Sequence, residues 1–381
     1  MNFEITEEQQ FIRESVRDFA EREIKPLAKE LDEKQQFSIE LTRKMGEMGL
    51  FGMVVPEEYG GQGLDYISYI IAVEELARID GSQAATIAAH NSLGVNPLYY
   101  FGNEEQKKKY VPKLCTGEAL WGFGLTEANA GSDSRASKTT AKLENGEWTI
   151  NGSKIFITNA SADISIGSTM QAVTGEKDGK KEFSAIIVDQ NTPGYTAKTM
   201  HDKMMWRASN TAELFLDDCI VPEENLLGKR GQGSKIMLNT LDHGRLSIAA
   251  MGLGCAQGAF ELALAYAQER VQFGKPICKL PIIADKLAIM ATKVELARNL
   301  LYKACWLKDN DKPFAKEAAM SKLYCSEIAK EVADEGVQIH GGYGLMKDYD
   351  IERFYRDQRL LQIGEGTSEI QRLVISRYIG C

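Results

Sequence analysis

The sequence predicts an α+β chain in three successive parts: helical, then sheet, then helical. Two observations carry that order. Apolar residues recur at helical spacing before about residue 120 and again from Ser234 onward, while short β-prone runs broken by turn residues occupy the stretch between. A third observation bounds the size: 381 residues with 44% hydrophobic side chains exceed one average domain and can build a large core without disulfide or metal. The expected units are 1–120, 121–230 and 231–381.

Thr6-Glu7-Glu8-Gln9 fits a capping box. Ile12, Val16, Phe19, Ala20 and Ile24 follow at helical spacing, and Pro26 is expected to break or kink that helix. Pro56 to Gly63 is a loop rich in breakers. An apolar face returns from Ile67 to Arg78, ahead of the small-residue stretch Ala84 to Ala89. Near Trp121 the texture changes. Glu147 to Ile150 reads as a strand ending in an Asn151-Gly152 turn, with a second strand from Lys154 to Thr158. Phe183 to Asp189 and Ala212 to Asp217 are further strands of a small antiparallel sheet. Long helices are expected over 234–270, 284–308, 314–340 and 368–379. The glycines at 252, 254 and 258 lie inside a helical run and lack dinucleotide-fingerprint spacing, so they read as helix–helix contacts. Gly228 to Lys235 lacks the order of a phosphate loop and reads as a turn into a helix.

A net charge of -9 with both signs interspersed disfavours a nucleic-acid partner. Seven cysteines with no C-x-x-C read as reduced and mostly buried, and four histidines without ligand spacing disfavour a metal site. No run of eighteen apolar residues is found, so no membrane span is expected. The acidic N-terminus resembles neither an export nor a transit segment, which points to a cytoplasmic protein.

Three segments carry candidate chemistry. Glu365 stands between Gly364 and Gly366, a setting that lets a carboxylate be aimed into a pocket, as a base acting on a C–H bond requires. The plainer alternative is an exposed loop glutamate beside a helix capped by Thr367 or Ser368. Phe123 to Asp133 alternates hydroxyls with glycine-exposed amides and suits a flat polar ring, or is an ordinary turn. Arg270 to Pro276 and Gln338 to Gly344 offer a phosphate partner and backbone N–H groups, or merely two helix ends.

Taken in order, these segments resemble the acyl-CoA dehydrogenase family over essentially the whole chain. The motifs that carry the resemblance are Leu125-Thr126-Glu127 with Ala130-Gly131-Ser132-Asp133, Ile157-Thr158-Asn159, Arg270 with Gln272-Phe273-Gly274, Gln338 with Gly341-Gly342, and Glu365-Gly366-Thr367. The resemblance implies a helical N-terminal domain, a central antiparallel β-domain and a C-terminal four-helix bundle. It also implies a homotetramer, as a dimer of dimers, with FAD at the dimer interface and an electron-transfer flavoprotein as acceptor. Phe123, Leu125, Thr126, Phe156 and Thr158 would face the flavin, and Ser132 would lie where flavin and the CoA pantetheine meet. Arg270, Phe273, Gln338 and Gly342 would reach a neighbouring subunit's FAD, Gln272 and Gly341 would also bind cofactor, and Thr367 and Glu369 would meet the cofactor's adenosine and pyrophosphate end. Glu365 would be the base that takes the α-proton of an acyl-CoA as a β-hydride passes to the flavin. Its backbone N–H and a ribityl hydroxyl would polarise the thioester oxygen.

Some family members carry the base just before the arginine matched here by Arg245. That position is Gly244, which favours Glu365. Asp242 matches a position near the pantetheine, and Leu93 belongs to a segment that runs under the acyl chain. Gly364 stands where many members have tyrosine, and with the alanines before Leu93 it suggests a pocket for short, branched or alicyclic acyl groups in a β-oxidation-type reaction. An acyl-CoA oxidase on the same scaffold is one alternative, and a non-catalytic helical interaction protein is another.

Overall fold

The computed structural model describes residues 4–381. The first helix, Glu7–Phe19, starts with the expected capping box: Thr6 Oγ1 accepts from Gln9 N, and Gln9 Oε1 accepts from Thr6 N. Pro26 does not break it. The ladder widens into a π-turn over Ala20–Ile24, in which Lys25 N reaches back to Ala20 O, and Pro26 then falls in the first turn of Lys25–Lys34, where its missing N–H costs little. The same device recurs at the C-terminal end of Gly81–Ala89. There a π-turn over His90–Val95 precedes Asn96-Pro97. It carries Leu93 toward the site described below.

The central sheet has eight strands: β1 (Leu120–Gly124), β2 (Thr140–Glu144), β3 (Glu147–Thr158), β4 (Ser165–Lys177), β5 (Lys180–Asp189), β6 (Tyr195–Thr199), β7 (Thr211–Pro222) and β8 (Leu226–Leu227). They lie in the order β6-β7-β3-β2-β4-β5-β8, with β1 also on β4. The expected antiparallel sheet is in fact mixed, because β1 and β2 both run parallel to β4. The long β4 is shared lengthwise by the two shorter strands, each reached by a connection through other elements rather than a hairpin. The expected Asn151-Gly152 turn is also corrected. β3 passes straight through it as a bulge against β7, while the turn between β2 and β3 is made by Asn145 and Gly146, at φ 52° and 81°. Gly152 is needed for a different reason, since a Cβ there would sit 2.5 Å from Thr139 Oγ1.

Beyond β8 the chain forms the helices Gly233–Glu269, Pro281–Asp309, Ala315–His340 and Ser368–Tyr378. Gly233–Glu269 is long and apolar enough by composition to cross a membrane, although its apolar residues are interrupted by polar ones. Most of that apolar stretch is buried inside the protein. Its glycines explain the close packing: Cβ atoms at Gly252, Gly254 and Gly258 would meet the carbonyls of Cys325, Glu74 and Arg78 at 2.8, 2.3 and 2.2 Å. All seven cysteines are free, five of them buried. Ala84, Ala85 and Ala88 are core residues, so their small size serves helix packing.

Candidate active site

Glu365 lies in the turn between a 3-10 segment, Gln358–Gln362, and the helix Ser368–Tyr378. Glu365 and Gly366 both adopt left-handed backbone, at φ 51° and 93°. For glutamate that conformation costs on the order of 1 kcal/mol and must be imposed by its surroundings. The turn is clamped from both sides. Gln371 Nε2 donates to the carbonyls of Glu365 and Gly366 at 3.3 and 2.9 Å, and Lys322 Nζ donates to Gly366 O at 2.7 Å. Thr367 caps the following helix through Ile370 N. The cap expected at Thr367 is present, but the exposed loop glutamate of the plainer reading is not: the Glu365 carboxylate points inward.

The carboxylate comes to rest over Gly244 on the helix Gly233–Glu269. A Cβ at that glycine would lie 1.8 Å from Glu365 Oε2 and 3.1 Å from Leu93 Cδ2. Glu365, Gly244 and Leu93 thus meet, from three elements far apart in sequence. Oε2 is sealed from solvent with no hydrogen-bond partner. Burial pushes the Glu365 carboxyl up to about 7, against the opposing pull of Lys322 and Arg245. Arg245 is buried and paired with Asp242, whose carboxyl is also raised by burial and drawn back by that arginine. Gly364 borders the base without any backbone need for glycine. Its φ is not positive, and an added Cβ would meet only Leu360, at ordinary contact distance of 3.6 Å.

A second wall comes from the sheet. β1 ends at Gly124, and the chain continues through Leu125 and Thr126, whose carbonyl accepts from Ile155 N at 3.0 Å. Glu127 locks this segment onto β3. It pairs with the fully buried Lys154 at 2.7 Å and accepts from Lys138 N and Thr139 N at 2.6 and 3.1 Å. Phe123 and Leu125 are buried, Thr158 is half-buried at the end of β3, and Ser132 is exposed. Phe156 is 63% exposed with φ 62°, an unusual setting for a large ring unless a flat partner covers it. The cradle suits an isoalloxazine ring: an open aromatic face on β3, with Thr126 hydrogen-bonded to the preceding residue, Ile155, and Thr158 two residues further on. Lys154→Met should leave Glu127 buried without its counterion. We expect a stability loss of about 3–5 kcal/mol and weaker flavin retention, measured by thermal unfolding and the flavin-to-protein absorbance ratio.

The remaining residues do not join this wall within one chain. Arg270 lies about 25 residues beyond Arg245 on the same helical run, roughly 38 Å at 1.5 Å per residue. Its guanidinium sits over the Tyr343 ring at 5.5 Å, which brings the segments of Arg270, Gln272 and Phe273 and of Gln338, Gly341 and Gly342 together as one exposed cluster. Phe273 is 90% exposed at φ 52°, and added Cβ atoms at Gly341 and Gly342 would meet nothing within 4 Å. Glu369 is exposed near the start of the Thr367-capped helix. Lys322 escaped the sequence reading. Its signal was present: Lys322 shares a helix face with the buried Ala318, Ala319 and Cys325, where a lysine is out of place.

Three family models match the chain: the acyl-CoA dehydrogenase N-terminal domain over residues 6–118, the middle domain over 122–219 and the C-terminal domain over 231–380. A probable acyl-CoA dehydrogenase of Bacillus subtilis (strain 168) is 53% identical over 380 residues, covering 100% of both chains. The butyryl-CoA dehydrogenase structure from Megasphaera elsdenii matches with a TM-score of 0.96 and 42% identity, covering 100% of each chain. A solved chain described with the electron transferring flavoprotein of Acidaminococcus fermentans matches with a TM-score of 0.96 and 44% identity, again covering 100% of each. Solved members of the family hold FAD, and the cradle around Phe156 fits it. The chain therefore belongs to the acyl-CoA dehydrogenase family and is an acyl-CoA dehydrogenase with FAD as its cofactor.

Proposed function

We propose that the enzyme removes an α-proton and a β-hydride from a short acyl-CoA thioester, with Glu365 as the base. The observation that carries this reading is the Glu365 carboxylate itself. It is desolvated over Gly244, has no competing hydrogen bond on Oε2, and faces two cations that favour its ionised form. The Glu365 backbone N–H is a donor for the thioester oxygen. Leu93, Ser132, Asp242, Arg245, Gly364 and Gly366 contact the acyl-CoA, and Phe123, Leu125, Thr126, Ser132, Phe156 and Thr158 hold the flavin. Bound FAD supplies the hydride acceptor. The distant cluster of Arg270, Gln272, Phe273, Gln338, Gly341 and Gly342 serves the FAD of a second subunit in a dimer of dimers, while Thr367 and Glu369 meet the cofactor's adenosine–pyrophosphate end. The units are 1–120, 121–230 and 231–381. An electron-transfer flavoprotein takes the electrons, a reading supported by the Acidaminococcus fermentans match.

On substrate width, Gly364 supplies the argument. Neither backbone conformation nor packing demands glycine there, so the missing side chain leaves room beside the base for a branched or cyclic acyl group. Gly364→Tyr should then slow branched and cyclohexane-type thioesters more than butyryl-CoA. A mismatch of this size is worth about 1–3 kcal/mol, and kcat/KM for a panel of CoA thioesters measures it. Equal slowing of every substrate would refute the wide pocket. With the Glu365 carboxyl raised to about 7, kcat/KM should rise with pH through that region as the base ionises. A profile flat from pH 5 to 8 would contradict the assignment.

A further inference from the structure

Lys322 is fully buried, on the helix Ala315–His340, yet its hydrogen-bond partner is a backbone carbonyl rather than a carboxylate. A buried ammonium costs several kcal/mol unless its charge is compensated. The carbonyl it holds is that of Gly366, next to the base. The same helix grips the rest of the turn one step along: Ser326 Oγ donates to Leu361 O at 2.8 Å, and Glu327 accepts from Gln362 Nε2 and Ser368 Oγ at 2.7 and 2.6 Å. Lys322 and Ser326 are four residues apart and share one face. Of these contacts, the Lys322 bond alone joins the left-handed Glu365-Gly366 pair itself to a different element.

We infer that Lys322 is a positioning residue for the reaction. Its ammonium fixes the Glu365-Gly366 turn through the Gly366 carbonyl and places a positive charge behind the base, favouring the ionised carboxylate. This rests on Glu365 being the base. The charged and titratable groups facing Glu365 are Lys322, Arg245 with its partner Asp242 on the helix Gly233–Glu269, and Tyr69 on Tyr66–Ala77. Those facing Lys322 are Glu365, Arg245, Glu327 and Glu369. Arg245 is engaged by Asp242, so it offers less net charge to the base than Lys322 does. Burial lowers the Lys322 ammonium itself to about 8, which still leaves it mostly charged at neutral pH.

The test uses the flavin-loaded enzyme with Lys322→Met, which removes both bond and charge, and Lys322→Gln, which keeps a donor for Gly366 O without the charge. In both, the acid limb of the kcat–pH profile should move up by about one unit, the low end for loss of a nearby opposite charge. Lys322→Met should also lose at least about tenfold in kcat at pH 7, with KM little changed, since a misplaced reacting group weakens the transition state rather than binding. The infrared carbonyl band of the protonated Glu365 carboxyl, identified by its loss in Glu365→Gln, should persist to correspondingly higher pH. If Lys322→Met does not fold, the Lys322→Gln pH profile and infrared band decide the matter. An unmoved acid limb and band in a folded variant, alongside a Glu365→Gln enzyme that is inactive, would overturn the role of Lys322 alone. An active Glu365→Gln enzyme would instead overturn the base assignment beneath it.

Discussion

Glu365→Gln should lower turnover of butyryl-CoA by at least about a hundredfold, the scale of general-base removal. The amide keeps the size of the side chain and can still fill the space over Gly244, so the fold and the left-handed turn should survive. FAD content should stay near that of the parent enzyme, because the proposed flavin cradle is built by β1, the segment after it and β3 rather than by this carboxylate. The check is kcat together with the flavin-to-protein absorbance ratio. Near-normal turnover would mean that another group takes the α-proton.

Gly244→Ala should be nearly as damaging to turnover while leaving stability intact. The new Cβ would need the space that Glu365 Oε2 occupies, 1.8 Å away, so the flexible carboxylate must swing aside. A displacement of about 1 Å from reacting geometry can cost on the order of a hundredfold. Alanine is also the better helix former, by about 0.5–1 kcal/mol relative to glycine, so the melting temperature should hold or rise. Activity and stability moving in opposite directions is the signature sought. An unchanged kcat would show that the carboxylate does not work from its place over Gly244.

Much of this arrangement was legible in the sequence, and the exceptions have physical causes. The three longest C-terminal helices were readable because their helical pattern is sustained over many turns, and the shorter Ser368–Tyr378 because Thr367 offers a cap. The capping box at Thr6 and the glycine-mediated helix contacts were readable because each rests on a local chemical rule. The Asn151-Gly152 bulge was misread as a turn because the dipeptide signal is the same in both settings, and only pairing with β7 decides between them. The parallel placement of β1 and β2 on β4 depends on long-range pairing that no local pattern encodes. The π-turns before Pro26 and Pro97 show that a proline marks a local adjustment without fixing its form. In the site, Glu365 stood out through its flanking glycines. Its placement over Gly244, with Leu93 on the other side of that glycine, and the support of Lys322 required the fold, since those residues come from three separate helical segments.

The central claim is that Glu365 removes the α-proton of a bound acyl-CoA. A thioester with sulfur in the β position tests this step alone, because it has an acidic α-proton and no β-hydride to lose. The flavin-loaded enzyme is incubated with this analogue in heavy water, and loss of the α-proton signal is followed by NMR. The account predicts exchange well above the uncatalysed rate with the parent enzyme and none above it with Glu365→Gln. Equal exchange by the two enzymes would contradict it.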